Sequence, residues 1–177
     1  VADLQDKGTL LNDLKKFGNK YSFEVIEISA FDIDEINISS TKIRNSIYEG
    51  KIEICKKYMG FNFKLFGKVV KGMSRGNKIG FPTANIVVID KDKIIPKNGV
   101  YLVSSKIDNK LYYGMMNIGY NPTFGNQEKS IEVNYFDYNS NLYNKTLTIE
   151  FIKYMRDEIQ FNSVNELIEK LNNDRDY

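Results

Sequence analysis

The amino-acid sequence predicts a mainly β fold: a six-stranded antiparallel Greek-key-like β-barrel with a C-terminal helix, preceded by a small α/β segment. After Gly60 the spacing of apolar residues changes from about 3.6 to 2, which is typical of strands. Six short alternating segments then follow with almost no helical pattern between them. Such a series suits a small antiparallel barrel, although the strands alone would also suit a sandwich.

The first sixty residues alternate helical and extended patterns. Residues 1–18 carry large apolar side chains at spacings of three and four, which predicts an amphipathic helix stopped by Gly18. Residues 21–29 alternate and predict a short strand. Two further helices are predicted over residues 39–47 and 52–59.

The barrel strands are separated by segments rich in Gly, Pro, Asn and Asp, which are turn formers. They are predicted over residues 63–69, 84–89, 99–106, 110–118, 130–138 and 145–155. A last helix begins at Ser163, which forms a capping box with Glu166, and its apolar face must dock on the barrel. The change of pattern divides the chain into predicted domains of residues 1–60 and 61–177.

The composition excludes several kinds of active site. The chain has no histidine and one cysteine, Cys55. It therefore cannot form an intrachain disulfide, a Cys/His zinc site, a Ser-His-Asp triad or a Cys-His dyad. Any general base must be a carboxylate, a lysine or a tyrosine. Cys55 lies on a predicted helix and is expected to pack rather than react.

Charge and hydropathy narrow the class of protein. The net charge of +2 is too small to indicate a dedicated nucleic-acid binder. No segment is apolar over the length that spans a bilayer, and the N-terminus has no signal-peptide pattern. A cytoplasmic protein is the expectation.

A basic, glycine-rich stretch follows the first barrel strand. Four of the twelve glycines fall within residues 67–80, interleaved with lysine and arginine. Glycine lets main-chain N–H groups approach an anion, so the stretch suits a phosphate. On residue types alone, a Gly-rich turn with a solvated basic rim is about equally favoured. The spacing matches neither a Walker loop nor a Rossmann turn.

Thr83 and Asn85 come directly after this stretch, two residues apart at the start of a strand, so their side chains should project to the same side. A hydroxyl and an amide oxygen are hard donors of the kind Mg²⁺ takes beside substrate phosphates. They suit a metal–nucleotide complex.

These residues together resemble the nucleotide-binding signature of riboflavin kinases, the kinase half of bacterial bifunctional riboflavin kinase/FAD synthetases. The matching run is Gly67-x-Val69-x-x-Gly72-x-x-Arg75-Gly76-x-x-Ile79-Gly80-Phe81-Pro82-Thr83-Ala84-Asn85. The resemblance implies Thr83 and Asn85 as Mg²⁺ ligands. It implies the following ATP and phosphate contacts: Gly67, Lys71, Gly72, Arg75, Gly76, Lys78, Gly80 and Pro82.

Glu132 lies on a predicted strand, on the face opposite to three apolar residues and on the same face as Asn134. On pattern alone it is an exposed surface glutamate. The segment Glu-Val-x-x-x-Asp after a Lys-Ser step resembles the riboflavin kinase segment that holds the catalytic base, which implies that role for Glu132. The family commonly has histidine where this chain has Asn134.

Two further segments resemble parts of the family's flavin site. Residues 117–124 are similar to its Asn-x-Gly-x-x-Pro-Thr-Phe, although these residues also suit an ordinary turn. Residues 155–161 are similar to its Leu-Arg-x-Glu-x-x-Phe, a flap that closes over flavin, although alone they are a charged loop. The implied flavin-binding residues are Asn117, Thr123, Arg156 and Glu158.

A polar run precedes the second predicted helix. Ser39, Ser40 and Thr41 can cap this helix, and Arg44 lies in its first turn, where a cation is favoured only if an anion shares the site. Capping alone is the simpler interpretation. The run resembles the late phosphate-contacting motif of the FAD synthetase half, whose early motif contains histidine. That half is therefore expected to be incomplete and inactive, a remnant of a nucleotidyltransferase domain.

The resemblance implies an ATP:riboflavin 5′-phosphotransferase that makes FMN and ADP with Mg²⁺ and binds neither nucleic acid nor membrane. Two alternatives stay open. One is a flavin- or nucleotide-binding module without catalysis. The other is a small nucleic-acid-binding barrel, which predicts salt-sensitive oligonucleotide binding.

Overall fold

The computed structural model describes residues 4–26, 32–33, 36–72, 81–120, 129–159, 161 and 163–176. The chain divides into two compact units, Val1–Ile38 and Ser39–Tyr177. The predicted boundary after residue 60 stays a prediction.

The first unit holds helix α1 (Leu4–Tyr21) and a two-residue antiparallel ladder of β1 (Asp32–Ile33) with β2 (Ile36–Asn37). The elements of the second unit are α2 (Ser40–Tyr48), α3 (Ile52–Met59), β3 (Lys64–Val70), β4 (Ala84–Val88), β5 (Gly99–Ile107), β6 (Lys110–Tyr120), β7 (Lys129–Tyr135), β8 (Thr146–Arg156) and α4 (Val164–Asp176).

Two details of the first unit differ from the sequence prediction. Helix α1 continues through Gly18, because the chain beyond it folds back and the Phe23 amide donates to the Gly18 carbonyl at 3.0 Å. Ser22, at φ 58°, provides the left-handed cap that ends the helix. The strand predicted over 21–29 was wrong for its first part, since residue 21 ends α1 and 22–26 form no strand. Residues 27–29 lie outside the described ranges.

The six strands of the second unit close into an antiparallel barrel in the order β3-β4-β7-β6-β5-β8, with β8 pairing again with β3. Strands β5, β6 and β7 follow one another as hairpins, and β8 returns beside β5. This is the Greek-key arrangement, so the predicted architecture is confirmed.

Alternate residues of each strand fill the barrel interior. In β7, for example, Ile131, Val133 and Tyr135 are buried while the residues between them are half-buried. Helices α2 and α3 extend this core, and Cys55 on α3 is fully buried in it, which confirms the packing role predicted for the thiol. The residues between the buried ones face outward, and the candidate site is built from them.

Candidate active site

Four predicted site residues lie in one row across the outer face of the barrel. Asn85 on β4 pairs with Glu132 on β7, Glu132 pairs with Asn117 on β6, Asn117 pairs with Val100 on β5, and Val100 pairs with Arg156 on β8. Paired residues of antiparallel strands project to the same face. At about 4.8 Å per strand, the row runs about 14 Å from Glu132 to Arg156.

Glu132 receives a hydrogen bond on each carboxylate oxygen. The Thr83 hydroxyl donates to Oε2 at 3.2 Å, and the Ser130 hydroxyl donates to Oε1 at 3.1 Å. The side chain is only half-buried, so a substrate hydroxyl can still reach it. The structure thus joins two segments 49 residues apart, the Pro-Thr-x-Asn segment and the Glu132 strand.

Asn134 fixes this junction from the next outward position of β7. Its amide nitrogen donates to the Pro82 carbonyl oxygen at 2.7 Å, which holds the chain just before Thr83. The residue that differs from the family's usual histidine therefore has a defined contact.

The donor set around Thr83 and Asn85 fits a magnesium ion held together with phosphates. Both are neutral oxygen donors, and Mg²⁺ commonly takes only one or two protein ligands beside substrate oxygens. Gly72 leaves room for the Asn85 amide, because a Cβ at residue 72 would lie 1.9 Å from Asn85 Nδ2. Among the described residues, no cluster of three or more acidic or thiol side chains could hold a metal ion instead.

Asn117 and Glu158 meet beside Gly119. The Asn117 amide donates to Glu158 Oε1 and the Asn98 amide to Glu158 Oε2, both at 3.4 Å. A Cβ at residue 119 would lie 1.8 Å from Glu158 Oε1, so the glycine of the Asn-x-Gly motif gives this carboxylate its space.

Two β-bulges between β5 and β8 decide which way Tyr154 and Arg156 point. Val103 pairs with Phe151 whereas Leu102 pairs with Lys153, so Ile152 is one extra residue. Tyr101 pairs with Tyr154 whereas Val100 pairs with Arg156, so Met155 is the other. Tyr154 consequently packs edge-on against the buried Tyr101 ring at 5.1 Å, and Arg156 lies in the outward row.

Each charged residue of the segment 156–158 has its own partner. Arg156 bonds to Asp174 of α4, with Nε at 2.9 Å and Nη2 at 2.7 Å from Oδ2. Asp157 accepts from Lys97 at 2.6 Å and from the Tyr154 hydroxyl at 2.7 Å. The hydrogen bonds from Lys97 and then Tyr154 lower the pKa of the Asp157 carboxyl.

A cavity of about 360 Å³ lies between this row and α4, and we call it the α4 cavity. Thr83, Asn117 and Glu132 line its polar side. Its apolar side is lined by Phe161, Leu167 and Leu171. The volume and the mixed lining are typical of a small-molecule site.

A second cavity, of about 340 Å³, lies at the other side of Thr83, and we call it the loop cavity. Its lining includes Thr83, Tyr135 and Tyr138, together with residues 139–143 of the loop before β8. Burial raises the pKa of the Tyr135 hydroxyl to about 12. Thr83 is the residue common to the two cavities.

The remaining predicted residues divide into three sets. Gly67 faces the barrel interior, where a Cβ would lie 2.2 Å from Ile86 Cγ2, and Lys71 is exposed. Residues 75, 76, 78, 80 and 123 lie outside the described ranges, so their predicted contacts stay predictions. Ser39 caps α2 by accepting from the Lys42 amide at 3.3 Å. Residues 40, 41 and 44 are exposed, and the phosphate contacts predicted for this segment stay predictions.

Sequence reasoning missed three contributors to the site. Ser130, Asp174 and the loop 139–143 carried no separate signal, although Ser130 is the serine of the Lys-Ser step. The two-residue spacing from Ser130 to Glu132 on one strand could have identified the first. The other two depend on which distant segments meet.

None of the helices in the described part of the chain is long and apolar enough to cross a bilayer.

The family model and the curated relatives agree on one family. The family model described as "Flavokinase: Riboflavin kinase" matches residues 59–177. A bifunctional riboflavin kinase/FMN adenylyltransferase of Buchnera aphidicola subsp. Schizaphis graminum is 40% identical over 165 residues, which cover 91% of this chain and 52% of that protein. The Bacillus subtilis protein of the same name is 40% identical over 141 residues, covering 78% and 44%.

A crystal structure described as a macrolide-efflux protein from Streptococcus pneumoniae has a TM-score of 0.84 and 36% identity, covering 94% of this chain and 53% of that chain. The chain spans about half the length of the curated relatives that it matches.

Proposed function

The chain belongs to the riboflavin kinase family, and from this premise we propose that it transfers the γ-phosphate of ATP to the 5′-hydroxyl of riboflavin, giving FMN and ADP. The observation that carries the proposal is the 3.2 Å hydrogen bond between Thr83 and Glu132, at the residue common to the two cavities. Phosphoryl transfer needs the phosphate donor, the accepting hydroxyl and a proton acceptor at one point.

The chemistry of the two cavities suggests which substrate each takes. The α4 cavity has an apolar wall of leucine and phenylalanine opposite a polar row, which suits a flat ring system that carries a polyhydroxyl chain. The loop cavity reaches the same Thr83 from the side of Tyr138 and residues 139–143. We assign riboflavin to the α4 cavity and the nucleotide to the loop cavity, so that the reacting groups meet beside Thr83.

Glu132 is the proposed general base. Its carboxylate accepts the proton of the ribityl 5′-hydroxyl as that oxygen attacks the γ-phosphorus. The hydrogen bonds from Thr83 and Ser130 fix the orientation of both carboxylate oxygens, and the Asn134 contact with Pro82 keeps Thr83 in place. Apart from the proton that Glu132 accepts, these residues contribute by positioning the reacting groups, and none of them forms a covalent bond to the substrate.

Thr83 and Asn85 are the proposed holders of Mg²⁺, through the hydroxyl and amide oxygens. When bound, the ion would neutralise charge on the phosphate oxygens. The Thr83 oxygen can bind through a lone pair while its O–H still donates to Glu132. Gly72 keeps the Asn85 amide free of a neighbouring side chain.

The decisive experiment is incubation of the chain with riboflavin and Mg-ATP, followed by separation of riboflavin, FMN and FAD. FMN is the expected product. Binding of riboflavin and ATP with no FMN formed would favour the binding module without catalysis. Salt-sensitive oligonucleotide binding without flavin binding would favour the nucleic-acid-binding barrel. The cytoplasmic location and the absence of nucleic-acid and membrane partners stay predictions.

A further inference from the structure

The ion pair between Arg156 and Asp174 is largely shielded from solvent. The two side chains are 15% and 6% exposed. Asp174 Oδ2 takes the two Arg156 bonds, and Oδ1 lies 3.1 Å from Lys170. Both carboxylate oxygens therefore have a cationic partner.

This pair lies next to the apolar wall of the α4 cavity. Leu167, Leu171 and Asp174 follow one another along α4 at spacings of four and three, so they share one face of the helix. The first two line the cavity. The ion pair between Asp174 and Arg156 thus connects this helix face, which forms the apolar wall of the cavity, to strand β8.

The guanidinium of Arg156 is bonded to α4 and to its own strand end, and the residue also lines the α4 cavity. Nε and Nη2 point to Asp174, and Nη1 donates to the Asp157 carbonyl oxygen at 3.1 Å. Because the donors of a guanidinium have a fixed fork geometry, these bonds define the plane of the whole group.

We propose that Asp174 is a positioning residue for the flavin: by pairing with Arg156 it holds Leu167 and Leu171 as the apolar wall against which the flavin ring packs. Arg156, which itself lines the cavity, then acts on the flavin chiefly by holding α4. This rests on the proposed assignment of riboflavin to the α4 cavity.

The test compares Asp174→Asn, Arg156→Gln and the double variant in two assays. The first is quenching of riboflavin fluorescence by the protein without ATP, and the second is the steady-state rate of FMN formation. Each single variant is expected to weaken riboflavin binding and raise its KM by about tenfold or more, with kcat and the KM for Mg-ATP little changed. The double variant should be no weaker than either single one, because both remove the same interaction.

Asp137→Asn is the matched control. It breaks the ion pair between Asp137 and Arg175, the residue that follows Asp174. The Asp137 side chain is 82% exposed and the Arg175 side chain 47%. Exposed pairs contribute little, and asparagine tolerates the φ of 55° at this position. Riboflavin binding should stay within about twofold of wild type.

Two further variants keep the test decisive if Asp174→Asn does not fold. Asp174→Glu keeps the charge and should restore most of the riboflavin affinity, whereas Arg156→Lys keeps the charge but loses the fork and should not. A defect in Arg156→Gln with wild-type binding in Asp174→Asn would overturn the proposal and make Arg156 a direct flavin contact. Equal losses of riboflavin and ATP affinity would overturn it in favour of general destabilisation.

The binding assay also separates this proposal from the proposed function. A protein that makes no FMN but binds riboflavin with the Asp174 defect would retain the positioning role and reject the kinase reaction. If the wild-type protein makes FMN and Asp174→Asn binds riboflavin as well as wild type does, the kinase reaction is retained and the positioning role is rejected.

Discussion

Replacement of Glu132 by glutamine tests the proposed base directly. Glutamine has nearly the same shape, and its Oε1 can still accept from one hydroxyl, but its NH₂ group cannot accept from the other. Thr83 and Ser130, at 3.2 and 3.1 Å, would need only a hydroxyl rotation to bond the amide. The fold and the cavity should therefore survive, and the change should appear in proton transfer.

The expected loss in kcat is that of a general base, about 10²- to 10⁴-fold. This corresponds to about 2.7 to 5.5 kcal/mol of transition-state stabilisation. Initial rates of FMN formation at saturating Mg-ATP and riboflavin measure it, and calorimetric titration with Mg-ATP checks that nucleotide binding is retained.

Glu150→Gln is the matched control. Glu150 is another half-buried glutamate on a barrel strand, held by Lys64 at 2.8 Å and by Asn62 at 3.1 Å, and it lines neither cavity. Its kcat should equal that of the wild type. A kcat within about threefold of wild type for Glu132→Gln would refute the assignment, since that is well below the usual contribution of a base.

Two other outcomes are expected. Gly72→Ala would place a methyl group 1.9 Å from the Asn85 amide nitrogen, so it should weaken Mg-nucleotide binding, measured by titration, while the thermal midpoint changes little. Alkaline pH should destabilise the barrel: burial raises the pKa of Tyr135 to about 12, so its contribution is complete below the ordinary tyrosine pKa and is lost as pH rises through the folded value. Between pH 9 and 11 the free energy of urea unfolding should fall by about 1 kcal/mol from this residue. Tyr135→Phe removes the 2.7 Å hydrogen bond with the Ser105 hydroxyl. This variant should therefore be less stable than wild type at pH 9, and its stability should depend less on pH.

The barrel and most of its strand limits were predictable because they depend on local alternation. The predicted strand over 84–89, for example, is observed as Ala84–Val88, and that over 99–106 as Gly99–Ile107. The strand predicted over 130–138 was wrong at its end, since β7 stops at Tyr135 and a turn with Asp137 at φ 55° follows. The end of α1 was not predictable from Gly18, because the contact that preserves the last turn comes from Phe23 after the helix.

The candidate site was predictable as a set of residues but not as a geometry. The motifs named Thr83, Asn85, Asn117 and Glu132, and the register between strands then placed the last three in one row. The role of Asp174 had no sequence signal, because a charged residue near the end of a helix is usually solvated.

The sequence by itself determined that outer and inner residues alternate along the strands, and which segments carry polar residues suited to phosphate and metal. It also excluded histidine-dependent sites and an intrachain disulfide. Only the tertiary structure decided that Thr83 meets Glu132, since their strands pair through closure of the barrel. The same closure placed bulges at Ile152 and Met155; the first turns Tyr154 inward, and the second returns Arg156 to the outward face beside α4. Such contacts depend on register between segments far apart in the chain, and local patterns carry no information about register.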